Sequence, residues 1–155
     1  MARKPASSKY YIPSLAGIYD TLDEYAAPIL RITMGAILIP HGMQKLFGSF
    51  GGPGMARMAQ ILDQIGYAPG TLWAWLIALL EFVGGIFLVL GFLTRPVAAA
   101  LVIFMIVSVQ FTSGKGFFWT AGGAGYSLLI LVVGLYFAIR GGGGCSIDRR
   151  IGREF

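Results

Sequence analysis

Four long apolar stretches dominate the pattern of hydrophobic and polar positions along the chain. They cover about residues 26–47, 72–93, 96–112 and 124–139. A transmembrane helix needs about 20 predominantly apolar residues to cross the hydrocarbon core, and the last two stretches lie at the short end of that range. The pattern therefore predicts four membrane-spanning helices. Pro28 and Pro96 are expected in the first turns of spans one and three, where a missing backbone N–H is harmless.

Two shorter segments, residues 14–25 and 55–66, have apolar residues at helical spacing and polar residues on the opposite face. Ser14 is the expected N-cap of the first segment, and Gly66 is expected to end the second. This pattern predicts short amphipathic helices in the membrane interface, one at the N-terminus and one between spans one and two. The predicted fold is all-α, an integral membrane four-helix bundle with two interfacial helices.

Composition agrees with this assignment. Only 12% of the 155 residues are charged and 56% are hydrophobic, whereas soluble domains carry about 25% charged residues. This composition excludes intrinsic disorder and argues against a water-soluble globule. The single cysteine, Cys145, excludes an intrachain disulfide, a CxxC redox pair and a cysteine-based zinc site. We therefore expect no metal site and no intrinsic cofactor, and Cys145 is interpreted as an incidental thiol.

The charged residues indicate an orientation. The net charge of +5 is spread over tails and loops rather than in a basic stripe with stacking aromatics, so no nucleic-acid partner is expected. Four spans place both tails on one side of the membrane. That side collects Arg3, Lys4, Lys9, Arg95, Arg140, Arg149, Arg150 and Arg153, and the other collects Lys45, Arg57 and Lys115. The positive-inside rule then predicts that residues 1–13 and 149–155 are cytoplasmic tails.

Ionisable residues are rare within the spans, and each costs roughly 2.5–3.5 kcal/mol at the membrane centre if it has no partner. They are Arg31, His41, Lys45 and Glu81. With a rise of 1.5 Å per residue, His41 lies roughly 9 Å and Glu81 roughly 13–14 Å from the outer ends of their spans. We therefore expect His41 to be the partner of Glu81. Arg31 lies near the opposite face and is expected to extend its side chain toward that interface.

These depths predict a polar cluster in the outer half of the bundle. His41 and Lys45 are four residues apart and share a helical face. With Glu81 they are expected to meet Gln110 of span three and Tyr126 and Ser127 at the start of span four. Histidine beside a carboxylate can relay protons. A polar cluster walled by apolar helices suits a small ligand with polar ends and an apolar body, such as a quinone headgroup. Alternatively, the same residues only join the helices.

Three groups of residues resemble the DoxX-like membrane proteins, over about Arg31 to Asp148. Span one and its end carry Arg31, Gly35, His41, Gly42, Lys45, Leu46 and Gly48. Span two and the following turn carry Glu81, Gly84, Gly85, Gly91, Thr94, Arg95, Ala98 and Ala99. The Gly-rich end carries Gly141, Gly143, Ser146 and Asp148. Glycines 84, 85 and 91 are expected to permit close helix contact, and Ser146 and Asp148 to cap the short tail.

The resemblance implies a single four-span membrane domain over residues 14–148, in the cytoplasmic (inner) membrane of a prokaryote. Members are associated with membrane oxidoreductase systems, including a subunit of thiosulfate:quinone oxidoreductase and complexes that handle thiols and oxidative stress. Members often carry a glutamate where span four opens, whereas this chain has Tyr126 and Ser127 there. The missing carboxylate weakens a proton-relay role.

Three functions remain open from the sequence. The first is a DoxX-like subunit of a prokaryotic oxidoreductase or electron-transfer complex that contributes a quinone-type binding site. Because no haem, flavin or iron–sulfur motif is recognisable, its electrons would come from a partner protein. The second is a non-catalytic structural or assembly subunit of a larger membrane complex. The third is a small transporter, although no inverted repeat or broken helix is visible. The expected partners are the lipid bilayer and other membrane protein subunits.

Overall fold

The computed structural model describes residues 10–152, and within them all regular secondary structure is helical. The α-helices are α1 (Ala16–Phe47), α2 (Gly54–Gln64), α3 (Gly70–Leu90), α4 (Thr94–Ser113), α5 (Gly125–Arg140) and α6 (Ile147–Ile151). Short 3-10 turns cover Pro13–Leu15, Ser49–Gly51 and Trp119–Ala121. The basic residues Arg3, Lys4, Lys9 and Arg153 of the predicted tails lie outside the described residues.

The long helices form the predicted four-helix membrane bundle. Three helical stretches are long and apolar enough to cross a membrane, namely Pro13–Phe47, α3 and α4. The fourth, α5, is apolar but has 16 residues, which span about 24 Å. Helix α1 packs mainly on α3, and α4 mainly on α5. The bundle therefore consists of two helix pairs, joined most directly by the turn between α3 and α4.

Helix α1 is longer than the sequence pattern predicted. The amphipathic segment is helical, but it continues into span one without a break, so Pro28 lies inside the helix rather than in its first turn. Proline removes one intrahelical hydrogen bond, here to the carbonyl of Glu24. The backbone of Gly144 lies beside that carbonyl. Membrane helices tolerate such a defect where neighbouring structure covers it.

Glycines set the register of α1 against α3. A Cβ on Gly35 would lie 2.5 Å from the carbonyl oxygen of Gly85, and one on Gly42 would lie 2.5 Å from the backbone nitrogen of Phe82. Only glycine permits this approach, and it places Gly42 level with Phe82. Counting 1.5 Å per residue from that level, α3 begins about 10 Å beyond the end of α1. Helix α2 packs along this projecting part of α3.

At the opposite end of the bundle, Arg31 is completely buried. Its guanidinium donates hydrogen bonds to the carbonyls of Leu88 (2.9 Å) and Cys145 (3.1 Å). The prediction that Arg31 extends toward the interface is wrong, because the segment after α5 folds back across the bundle and covers it. Gly91, with φ +68°, lies directly against the guanidinium, where a Cβ would overlap it.

The same returning segment provides two helix caps. The hydroxyl of Ser146 accepts a hydrogen bond from the backbone N–H of Arg149 and caps α6, as predicted. Asp148 instead caps α4, because its carboxylate accepts the backbone N–H groups of Leu93 (2.8 Å) and Thr94 (3.0 Å). Thr94 is buried and Arg95 is half-buried at this turn. The Gly-rich segment after α5 thus packs against the bundle and forms part of its structure.

Candidate functional site

A cavity of about 520 Å³ lies between the two helix pairs. It is in the half of the bundle where α1 and α4 end and where α3 and α5 begin, which we call the α2 end. The rear wall comes from α1 and α5 and carries most of the polar groups. The front wall comes from α3 and α4 and is largely apolar, and α2 covers the top.

The rear of the cavity contains an ion pair between Lys45 Nζ and Glu81 Oε2. The Lys45 side chain is 16% exposed and that of Glu81 is 4% exposed. The helix register explains this pair: Lys45 lies three residues beyond Gly42, whereas Glu81 immediately precedes Phe82, so about 3 Å separates them along the bundle axis. The predicted pairing of Glu81 with His41 is therefore wrong, and Lys45 is the partner.

His41 has a different set of contacts. Its Nδ1 lies 2.9 Å from the carbonyl oxygen of Ile37 and donates to it, and in the neutral tautomer with this proton Nε2 is an acceptor. The ring stacks on Tyr126, with centroids 5.4 Å apart and planes inclined by 13°. His41 and Tyr126 both line the cavity. The stack joins the end of α1 to the start of α5.

Helix α5 contributes two hydroxyl groups to the cavity. The hydroxyl of Tyr126 is buried and has no hydrogen-bond partner among the described residues. Ser127 is satisfied, because its Oγ lies 2.8 Å from Oγ of Ser108 on α4. Buried polar atoms are normally paired, so the Tyr126 hydroxyl is the group with spare hydrogen-bonding capacity in this cavity.

Gln110 does not join the cluster. It is exposed and does not line the cavity. The cavity-lining residues of α4 include Phe104, Ser108 and Phe111, which share one helical face. Gln110 lies seven residues beyond Ile103, at the exposed outer edge of α4, and about 160° around the helix from Ser108. The structure thus brings together His41, Lys45, Glu81, Tyr126 and Ser127, and leaves Gln110 outside.

The apolar cover of the cavity was not predicted from the sequence. Met58, Leu62 and Ile65, at the apolar positions of the second amphipathic segment, line it. Tyr67, just after α2, places its ring 5.8 Å from those of both Trp73 and Phe111. The periodicity of residues 55–66 indicated an apolar face, but it could not show that this face covers a cavity rather than lipid.

The arrangement suits a ligand that is polar at one end. One cation, one anion, one imidazole nitrogen and one unpaired hydroxyl meet at the rear of an otherwise apolar space. Such cavities bind apolar molecules that are oriented by a few polar groups. Within residues 10–152, no group of three or more His, Cys, Asp or Glu side chains is placed to hold a metal ion.

Comparisons with known proteins are consistent with this architecture. The DoxX family pattern matches residues 26–114. An uncharacterized membrane protein of Mycobacterium tuberculosis is 30% identical over 81% of this chain and 80% of its own length. An uncharacterized protein of Haemophilus influenzae is 31% identical over 81% of this chain and 90% of its own length.

A third relative carries a functional name. A Bacillus subtilis protein named "Putative oxidoreductase CatD" is 26% identical over 81% of this chain and 86% of its own length. No solved structure matches the chain. The family match covers more than half of the chain and includes α2, α3, α4 and most of α1, although it ends before α5. The chain belongs to the DoxX family of membrane proteins.

Proposed function

We propose that this protein is a membrane subunit of a prokaryotic oxidoreductase complex and that its cavity binds a quinone-type molecule. The observation that carries the proposal is the unpaired Tyr126 hydroxyl inside an apolar cavity of about 520 Å³. This volume lies within the range of about 300–1,000 Å³ that is typical of small-molecule sites. The oxidoreductase setting is supported by the family and by the name of the Bacillus subtilis relative.

Each polar residue has a distinct role in this proposal. The Tyr126 hydroxyl donates a hydrogen bond to a carbonyl oxygen of the headgroup. Lys45, held by Glu81, provides a positive charge near that oxygen. His41 Nε2 accepts a proton or a hydrogen bond, since Nδ1 is occupied by the Ile37 carbonyl. The apolar walls and α2 exclude water, which strengthens these interactions.

A bound quinone would supply two-electron, two-proton redox chemistry. The chain itself contributes binding and proton-handling groups, and the electrons come from a redox centre of a partner subunit. Lys45 and His41 of α1 line the rear wall, and Glu81 of α3 is paired with Lys45 there, so these groups are placed to transfer a proton. In this proposal the chain is a quinone-binding membrane subunit and not a complete enzyme.

We further propose that the chain lies in the cytoplasmic membrane with the α6 end inside. Arg95, Arg140, Arg149 and Arg150 lie at that end, whereas Arg57 and Lys115 lie at the α2 end. The positive-inside rule favours the more basic end in the cytoplasm. The cavity is then in the outer half of the bilayer.

The test is purification of the protein from its native membranes in a gentle detergent, followed by mass spectrometry of bound quinones and proteins. The proposal expects near-stoichiometric quinone and a partner subunit that contains a redox cofactor. A Tyr126→Phe variant should retain the partner and lose quinone. A large complex without quinone would favour the structural-subunit interpretation, and a homo-oligomer without a partner would favour a transporter.

A further inference from the structure

The front of the cavity is open between α3 and α4. Most lining residues from α1 and α5 are half-buried or buried. In contrast, Leu76 is 51% exposed, Ile103 is 68% exposed and Phe111 is 46% exposed, although all three line the cavity. These side chains lie along the two edges of the gap between α3 and α4. The gap is therefore a lateral opening of the cavity.

The opening lies on the part of the bundle that faces lipid. Leu76 and Ile103 lie within α3 and α4, both of which are long and apolar enough to span the membrane. Leu76 lies six residues after Gly70 and Ile103 lies ten residues before Ser113, which places them about 9 Å and about 15 Å from those helix ends. An apolar opening at that depth faces hydrocarbon rather than water.

The end of the cavity nearest to water is covered. Leu62 of α2 is 6% exposed and lines the cavity from above. Tyr67 contacts the rings of Trp73 on α3 and Phe111 on α4, and so bridges the two helices at the top of the gap. Asp63 fixes this cover to α3, because its carboxylate accepts the backbone N–H of Gly70 at 2.6 Å. The lateral opening between α3 and α4 is therefore the uncovered route into the cavity.

We infer that the ligand of this cavity is a membrane-dissolved molecule that passes between α3 and α4 and leaves its apolar chain in that gap, with its polar headgroup against Tyr126 and Lys45. This inference rests on the proposed function and deepens it, because it requires a headgroup with an attached apolar chain. The observation behind it is that the cavity lining changes from polar at the rear wall to apolar and exposed at the edges of the opening. A water-soluble ligand would need no such edge.

The test compares the binding of a quinone that carries a decyl chain with the binding of the same quinone without the chain. The comparison is made once with a benzoquinone headgroup and once with a naphthoquinone headgroup. The protein is reconstituted in lipid nanodiscs, and binding is measured as radiolabelled quinone retained by the nanodiscs after subtraction of protein-free nanodiscs of the same lipid. Ile103→Trp narrows the opening. Ile106→Trp is the matched control, since Ile106 is 51% exposed on α4 but does not line the cavity.

The inference expects Ile103→Trp to weaken binding of the decyl quinone roughly tenfold or more, because the indole fills the gap in which the chain must lie while the headgroup is bound. Affinity for the chain-free quinone should stay within about twofold, and Ile106→Trp should change neither. Equal effects of Ile103→Trp on both ligands, or none on either, would overturn the inference while leaving the proposed function intact. Absence of binding of all these quinones to the unsubstituted protein would overturn both.

Discussion

Lys45 at the end of α1 forms an ion pair with Glu81 in the middle of α3, beside the close contact between Gly42 and Phe82. The pair is possible because Gly42 lets the backbones approach, which brings the last turn of α1 to the level of Glu81. The same pair lies at the rear of the cavity. Packing and the proposed chemistry therefore depend on one helix register.

The ion pair should stabilise the fold only as a unit. Lys45→Met leaves the Glu81 carboxylate buried without its partner, and we expect a loss of about 3 kcal/mol in the free energy of unfolding. Glu81→Gln should cost less, since Lys45 is 16% exposed and closer to the surface. The double variant, which buries no charge, should recover much of the lost stability. Thermal unfolding in detergent measures these differences, and additive losses in the double variant would contradict a coupled pair.

Tyr126→Phe should separate stability from binding. The Tyr126 hydroxyl is buried without a partner among the described residues, so its removal should leave stability unchanged or raise it by about 1 kcal/mol. Quinone affinity should fall roughly tenfold, which corresponds to one lost hydrogen bond. The control is Tyr136→Phe, on the same helix but outside the cavity. A destabilised Tyr126→Phe variant would indicate a structural role for this hydroxyl.

Arg31 should be irreplaceable by lysine. Its two terminal nitrogens donate hydrogen bonds to one carbonyl on α3 and one in the returning segment. A single ammonium does not reproduce this geometry. We expect Arg31→Lys to cost about 3 kcal/mol and to expose the chain after Arg140 to trypsin. Unfolding and limited proteolysis measure both effects. Arg57→Lys, at an exposed position of α2, is the control, and equal behaviour of the two variants would refute the assignment.

Asp148 should contribute to stability through α4 rather than through the tail. Asp148→Ala leaves the backbone N–H groups of Leu93 and Thr94 without their acceptor, and we expect a loss of about 1–2 kcal/mol. Asp148→Asn keeps one acceptor oxygen and should lose less. Asp23→Ala, at an exposed position of α1, is the comparison. An Asp148→Ala protein as stable as Asp23→Ala would contradict the capping role.

The orientation can be tested directly, because Cys145 is the single cysteine and is exposed. With the α6 end in the cytoplasm, a membrane-impermeant maleimide added to intact cells should label Cys145 only after permeabilisation. A Lys115→Cys, Cys145→Ser variant places the thiol at the opposite end of α4 and should label without permeabilisation. The reverse pattern would place the cavity in the inner half of the bilayer.

Hydrophobic periodicity was sufficient to predict the four helices and the amphipathic α2, because apolar length and spacing are local properties. The partner of Glu81 was predicted incorrectly because the depth estimate placed the ends of spans one and two at one level. The actual offset of about 10 Å comes from glycine contacts between distant segments. The glycines at positions 35 and 42 are the residues that set this offset, although sequence alone does not show which glycines of two helices meet.

Two other errors have different causes. Gln110 was judged by its depth alone, whereas it lies on the side of Ile103, at the exposed edge of α4, and not on the side of Ser108. Arg31 was judged as a helix-end residue, although its burial depends on a segment more than 100 positions later that folds back to accept its hydrogen bonds. Both errors depend on tertiary contacts, namely the rotation of α4 against α5 in the first case and the returning segment in the second.

The most direct measurement is photo-crosslinking of an azido-quinone to the protein in native membranes, with peptide mapping of the labelled residues. The account predicts that label concentrates on cavity-lining residues of α3 and α4, including Trp73, Leu76 and Phe111, and that an excess of unmodified quinone suppresses it. Label confined to lipid-facing positions such as Leu129 and Leu135 of α5, at a level that unmodified quinone does not reduce, would contradict quinone binding in the cavity.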